Sequence, residues 1–111
     1  MISRALTAAS TKPLILAILK QGENYGYRII QRVREISEGE IDWSEPMLYP
    51  VLKRMDRDGL LQSRWKHTEN GRFRRYYRLT EKGHKELERE KAQWIKVHAA
   101  FMKVLSPVFK D

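Results

Sequence analysis

Apolar residues recur three and four positions apart through the first 60 residues, the spacing of one buried face on an α-helix. After Pro13 the run LILAILKQG puts Leu14, Ile15, Ile18 and Leu19 on one side, with Thr11 as N-cap, Pro13 in the first turn and Gly22 as the stop. In NYGYRIIQRVREISEG the buried stripe is Ile29, Ile30, Val33 and Ile36, bounded by Asn24 as N-cap and Gly39 as C-cap. The stretch SEPMLYPVLKRMDRDGLL predicts a third helix from Ser44, its N-cap, to Gly59. Pro46 sits in its first turn, and Leu48, Val51, Leu52 and Met55 face inward. The opposite phase carries Met47, Tyr49, Lys53, Arg54 and Arg57. Pro50 has no N–H and presses on the preceding turn, so it belongs near the helix start or bends it.

After Gly59 the period shortens to two. LLQSRWKH and RFRRYYRL are β-prone runs joined by TENG, whose Asn70-Gly71 pair is a hairpin signal. Alternation puts Phe73, Arg75, Tyr77 and Leu79 on one face of the second strand and Arg72, Arg74, Tyr76 and Arg78 on the other. From Thr80, an N-cap followed by Glu81, a long helix runs to about Leu105 before Pro107. Along it Leu87, Trp94, Phe101 and Val108 are spaced by seven, with Val97 and Val104 in the companion phase, a short heptad-like seam.

Charge changes the picture by where it lies. The 111 residues carry 22 Lys+Arg against 14 Asp+Glu, net +8, and residues 62–85 alone hold 8 basic and 2 acidic side chains. A basic balance of this kind suits a polyanionic partner. Cysteine is absent, which removes disulfides, thiolate metal sites and a cysteine nucleophile and suits a reducing cytoplasm. No apolar run approaches the ~18 residues of a membrane span, and MISRALTAASTKP lacks the apolar core of a signal peptide. The expectation is a cytoplasmic protein with no membrane partner. His67, His84 and His98 form no HExxH pair, and GxSxG and phosphate-binding glycine loops are missing. No catalytic residue, metal ligand or cofactor is therefore expected.

Three helices followed by a basic β-ribbon is the order of a winged helix-turn-helix, mainly α with a small β-hairpin wing (an α+β fold) and a long C-terminal helix appended. In that frame residues 1–80 make the DNA-binding unit and 81–111 the C-terminal helix, all as one compact body. The third helix enters the major groove, where Lys53 and Arg54 meet guanine edges and Tyr49 meets phosphate or a thymine methyl, unless Tyr49 packs on the second helix instead. Met47, in the same phase, joins them. Arg72, Arg74 and Arg75 beside the Asn70-Gly71 tip supply phosphate contacts. An apolar seam as long as that of the last helix exceeds what one small core can bury, which points to a second copy. Two-fold pairing would hold the two recognition helices about 34 Å apart, one turn of DNA. A protein-interaction or RNA-binding winged helix without operator specificity is the alternative.

The segments ENYGYRIIQRV, EPMLYPVLKRMDRDGLL and GRFRRYYRLTEKGHKEL, in this order, resemble the PadR family of bacterial transcriptional regulators in its short form with a single C-terminal helix. The likeness covers roughly Thr11 to Leu105 and is carried by Gly26-Tyr27, Leu48-Tyr49-Pro50, Gly59-Leu60 and the run from Tyr77 to Gly83. It departs from the family at Pro46-Met47, where a small residue is common, and so in the contacts of the first turn of the recognition helix. The resemblance implies a homodimeric repressor on a near-palindromic operator in double-stranded DNA, paired through the C-terminal helix with help from the N-terminal segment. Leu87, Trp94, Val97, Phe101, Val104 and Leu105 are the candidate interface. It further implies a planar hydrophobic small-molecule effector held between subunits, with Trp94 and His98 as candidate contacts, although Trp94 serves equally as an interface anchor.

Overall fold

The computed structural model of the chain describes residues 1–106. Its elements run α1 (Arg4–Lys20), β1 (Asn24–Tyr25), α2 (Gly26–Ile36), α3 (Glu45–Arg57), β2 (Leu61–His67), β3 (Phe73–Leu79) and α4 (Glu81–Leu105). The winged-helix arrangement expected from the element order is present, with a third strand added.

α1 starts well before Pro13. Its N-cap is Ser3, whose hydroxyl accepts the Leu6 N–H at 3.1 Å, and not Thr11. The alanines of the first turns favour a helix without marking an apolar face, so periodicity does not reveal them. Thr11 is a buried mid-helix residue whose hydroxyl donates to the Thr7 carbonyl at 2.7 Å, and the Ser10 hydroxyl donates to the same carbonyl at 3.0 Å. Pro13 therefore lies inside the helix, where it has no N–H to give to the preceding turn.

Asn24 also has another role than the capping one. It pairs with Tyr77 in β1, its carboxamide oxygen accepts the Tyr25 N–H at 3.0 Å, and Tyr25 stands at the α2 N-cap position without a side-chain capping bond. Ile36, placed in the buried stripe by its spacing, is 56 % exposed because α2 ends there and the chain turns away. The turn bonds the Gly39 N–H to the Arg34 carbonyl at 2.8 Å and the Glu38 N–H to the Glu35 carbonyl at 3.2 Å. In this Schellman motif the left-handed residue directly after the C-cap is Glu38, with φ 53°, followed by Gly39 with φ 82°.

α3 begins as its sequence predicts, with the Ser44 hydroxyl accepting the Met47 N–H at 3.3 Å and proline in the first turn. It ends at a second Schellman motif, in which Gly59 takes φ 80° and the Leu60 N–H reaches the Met55 carbonyl at 2.9 Å. β2 and β3 pair antiparallel from Leu61 opposite Leu79 to His67 opposite Phe73, and β1 adds to the far edge of β3, giving the order β1-β3-β2. At the hairpin tip the Gly71 N–H donates to the Thr68 carbonyl at 3.0 Å, and Gly71 takes φ 73°.

The core is built from Ile15 and Leu16 of α1, Ile29, Ile30 and Val33 of α2, and Leu48, Leu52 and Met55 of α3, closed by Trp43, Leu61 and Tyr77. α4 joins at a tight corner. The Thr80 hydroxyl accepts the Gly83 N–H at 3.0 Å and donates to the Gly59 carbonyl at 2.6 Å, while the Thr80 N–H donates to the Leu60 carbonyl at 3.1 Å. Lys12 of α1 pairs with Glu86, and Lys20 with Glu88 at 3.5 Å, holding the first turns of α4 against α1. From Lys91 to Leu105 every residue is exposed, so α4 leaves the body as an arm in a molecule 64 Å long. No helix among the described residues is long and apolar enough to cross a membrane.

Candidate nucleic-acid interface

Tyr49, Lys53 and Arg57 stand one turn apart on the exposed side of α3, with Arg54 beside them. The side chains of Lys53, Arg54 and Arg57 make no hydrogen bond or ion pair to any described residue, so their charge is turned wholly outward. Met47 differs from its expected phase. It sits one turn before Val51, on the edge of the buried stripe, and packs half-buried against the core.

Tyr49 packs on α2 and still reaches the surface. Its ring lies against Gly26 at the start of α2, so close that a Cβ there would come within 2.7 Å of the ring, yet the residue is 42 % exposed. The phenol donates to the Glu45 carboxylate at 3.4 Å. Burial, then the Glu45 charge, pushes its pKa above the usual tyrosine value, so the hydroxyl remains a donor at neutral pH.

The wing arginines divide by occupation. Arg72 is exposed and unpaired among the described residues. Arg74 stacks on the Tyr25 ring, 4.3 Å from its centroid. Arg75 is turned inward, donating to Ser63 at 3.0 Å and to Asp56 at 3.3 Å. Two more wing cations, Arg64 and Lys66, are held by Glu23 at 2.9 and 3.1 Å, and hydrogen bonding from Arg64 above all draws the Glu23 carboxyl down to about 2. A count of arginines therefore overstates the free charge of the wing, because Glu23 lies 41 residues from Arg64 and their pairing is invisible in the local sequence.

Between α3, the start of α2 and the wing lies an open cleft of about 640 Å³, lined by Tyr27, Tyr49, Lys53, Trp65, Arg72 and Arg75 among others. Trp65 and Phe73 are both largely exposed on the wing face turned toward this side, and the charge pattern alone does not signal them.

Along α4 the candidate interface residues separate. Leu87 is 6 % exposed and belongs to the core of its own chain, because the seam is covered by α1 at that level. Trp94, Val97, Phe101, Val104 and Leu105 are exposed, as is His98, and Val108 lies outside the described residues. Trp94 flanks a groove of about 500 Å³ between α1 and α4, lined chiefly by Leu6, Pro13, Leu14, Ala17 and Leu87.

Three helices, a hairpin wing and a cationic helix face beside it define a winged-helix DNA-binding protein. The chain belongs to the PadR-like family of transcriptional regulators, whose family model matches residues 15–89. Its fold is similar to that of a transcriptional regulator from Clostridium thermocellum, with a TM-score of 0.85 at 25 % identity over 96 % of this chain and 100 % of that one. A PadR-like transcriptional regulator from Bacillus cereus gives 0.81 at 29 % identity over 92 % and 97 % of the two chains. A PadR family transcription regulator from Clostridium difficile gives 0.77 at 32 % identity over 87 % and 99 %. The protein is thus a regulator and not an enzyme.

Proposed function

We infer that the protein is a homodimeric repressor of a near-palindromic operator. The outward, unpaired row of Lys53, Arg54 and Arg57 beside Tyr49 on α3 carries this reading, since a helix that reads base edges must hold its cations uncommitted. In it residues 1–80 are the DNA-binding unit and residues from 81 onward the dimerisation helix. Met47 supports the first turn of α3 from the core side, Arg72 meets phosphate, and Arg74 and Arg75 follow once DNA competes for them. The exposed row Trp94, Val97, Phe101, Val104 and Leu105 is buried against a second copy, because an apolar arm of this length is otherwise left in water. The α1–α4 groove is apolar and of ligand size, which supports a planar hydrophobic effector on Trp94 with His98 one turn further along α4. Such an effector acts by favouring a dimer whose recognition helices mismatch the operator spacing. The work of such a regulator lies in the cytoplasm.

The test is anisotropy binding of the purified protein to fragments of its own upstream region across a salt series. Arg72→Ala lowers the salt slope by about one phosphate charge, and Lys53→Ala relaxes the preference among fragments. Sedimentation of Phe101→Glu reports a monomer. Equal weak binding to every fragment would leave the alternative, an RNA-binding or protein-interaction winged helix.

A further inference from the structure

A recognition helix in the major groove and a wing in the adjacent minor groove are separated by one sugar–phosphate strand, so that strand runs through whatever lies between them. Here that space is the cleft of about 640 Å³ between α3 and the hairpin. Lys53, Arg72 and Arg74 around it are cationic, which suits phosphates, against the carboxylate of Glu45, but its wing wall is aromatic. Trp65 is 64 % exposed there. Across the β2–β3 ladder its partner is Arg75, a residue well able to cover an indole. The Arg75 guanidinium instead turns away to Ser63 and Asp56, and the Trp65 side chain has no hydrogen bond or ring contact with any described residue. A tryptophan left in water beside diverted cover contributes little to folding, and its size and ring are available to a ligand.

We propose that Trp65 is a DNA-positioning residue, its indole packed on a deoxyribose of the strand seated between α3 and the wing. The inference rests on the DNA-binding reading above and adds an apolar contact to a surface otherwise described by its charge. A deoxyribose presents a C–H face that an indole covers without hydrogen-bond geometry, so the contact carries no base preference. The indole N–H adds one donor for a phosphate oxygen, and Lys53 and Arg72 neutralise the flanking charges. Phe73, near the tip on the same wing face, extends the apolar wall.

A packing contact on sugar releases no counterion, which separates it from every arginine contact. Trp65→Ala therefore binds the preferred upstream fragment about 10- to 100-fold more weakly at every salt concentration, with an unchanged slope of log affinity against log salt. Trp65→Phe recovers most of the loss, and circular dichroism shows both variants folding as the parent does. Arg72→Ala, run alongside, lowers the slope. The proposal is overturned if Trp65→Ala binds as tightly as the parent, or if its slope falls with its affinity, since the side chain would then act only by placing wing cations. Failure of the parent protein to bind any duplex would remove the DNA reading itself, whereas parent binding with an indifferent Trp65→Ala removes this contact alone.

Discussion

Replacing Gly83 by alanine sets two physical effects of opposite sign against each other. In an exposed helix the change adds about 1 kcal/mol of stability, because alanine has less backbone freedom to lose. Gly83 is buried in the first turn of α4, and a Cβ built there would stand 2.1 Å from the Leu60 carbonyl oxygen and 3.4 Å from Leu79. The Leu79 methyl is at ordinary contact distance, but the Leu60 carbonyl is backbone and cannot swing aside. The Leu60 carbonyl is fixed by the Thr80 N–H, and the adjoining Gly59 carbonyl by the Thr80 hydroxyl. Relief requires α4 to retreat from the α3–β2 turn by about 1 Å, a small-to-large substitution against backbone. That movement weakens the Thr80 bonds, about 1 kcal/mol each, and loosens Leu87 from the core. A gross cost of about 3–4 kcal/mol less the propensity gain leaves Gly83→Ala destabilised by about 2–3 kcal/mol. For a chain of this size the midpoint falls by roughly 8–12 °C. Thermal unfolding by far-ultraviolet circular dichroism at matched protein concentration measures it, since any assembly shifts the midpoint by mass action. A Gly83→Ala protein as stable as the parent, or more so, would refute the argument from close approach.

Gly26→Ala, by contrast, meets only the movable Tyr49 ring, so it leaves the melting midpoint within about 4 °C while lowering DNA affinity several-fold by anisotropy. A loss of stability as large as that of Gly83→Ala would show that the ring cannot yield. Glu38→Gly relieves a left-handed residue and removes a carboxylate from the α2 C-terminus, raising stability by about 0.5–1 kcal/mol in urea unfolding; an unchanged or lower midpoint contradicts it. Glu86, bonded first by Arg89 and then by Lys12, is drawn from the ordinary 4.5 down to about 2, as Glu23 is by Arg64 and Lys66. Because both folded values are depressed, their stabilisation is full above pH 4.5 and is lost as pH falls toward 2. The acid limb of the midpoint against pH flattens in Glu86→Gln, by on the order of 1 kcal/mol, and an identical limb would dismiss the ion pairs as stabilising.

Where the chain announces an element through local chemistry, that element is legible. Ser44, Gly59, Asn70-Gly71 and Thr80 each set a cap or turn within four residues of their own positions, and the structure uses them as read. α1 misleads because Pro13 has the form of a first-turn proline while the true start at Ser3 lies in a run without apolar period. β1 is two residues long and exists only through its pairing with β3, more than 50 residues onward, so no local pattern encodes it. The site divides on the same line. That residues 62–85 are basic is visible at once. Which cations are free is decided by Glu23 and Asp56, brought to the wing by folding, and the fate of Leu87 is decided by α1 covering one end of an otherwise uniform seam. The run from Tyr77 to Gly83 is recognisable as a pattern, and the reason for its glycine appears only when α4 is seen against the Leu60 carbonyl.

Thr80 alone separates the end of β3 from the start of α4, and it is pinned on both sides to the end of α3. The strand and the helix therefore form a crank with its bearing at Thr80. One limb is α4, 25 residues or roughly 37 Å long; the other is β3, seven residues or roughly 23 Å. A rotation of 10° at the bearing swings the far end of the arm by about 6 Å and the wing tip by about 4 Å. α3 is joined to the wing through Asp56, which accepts from Ser63 at 2.8 Å and from Arg75 at 3.3 Å, so it shares the rotation. A torque applied far out on α4 thus meets the Lys12–Glu86 pair and the buried Leu87 before it reaches Thr80, and what passes the bearing moves the wing together with α3.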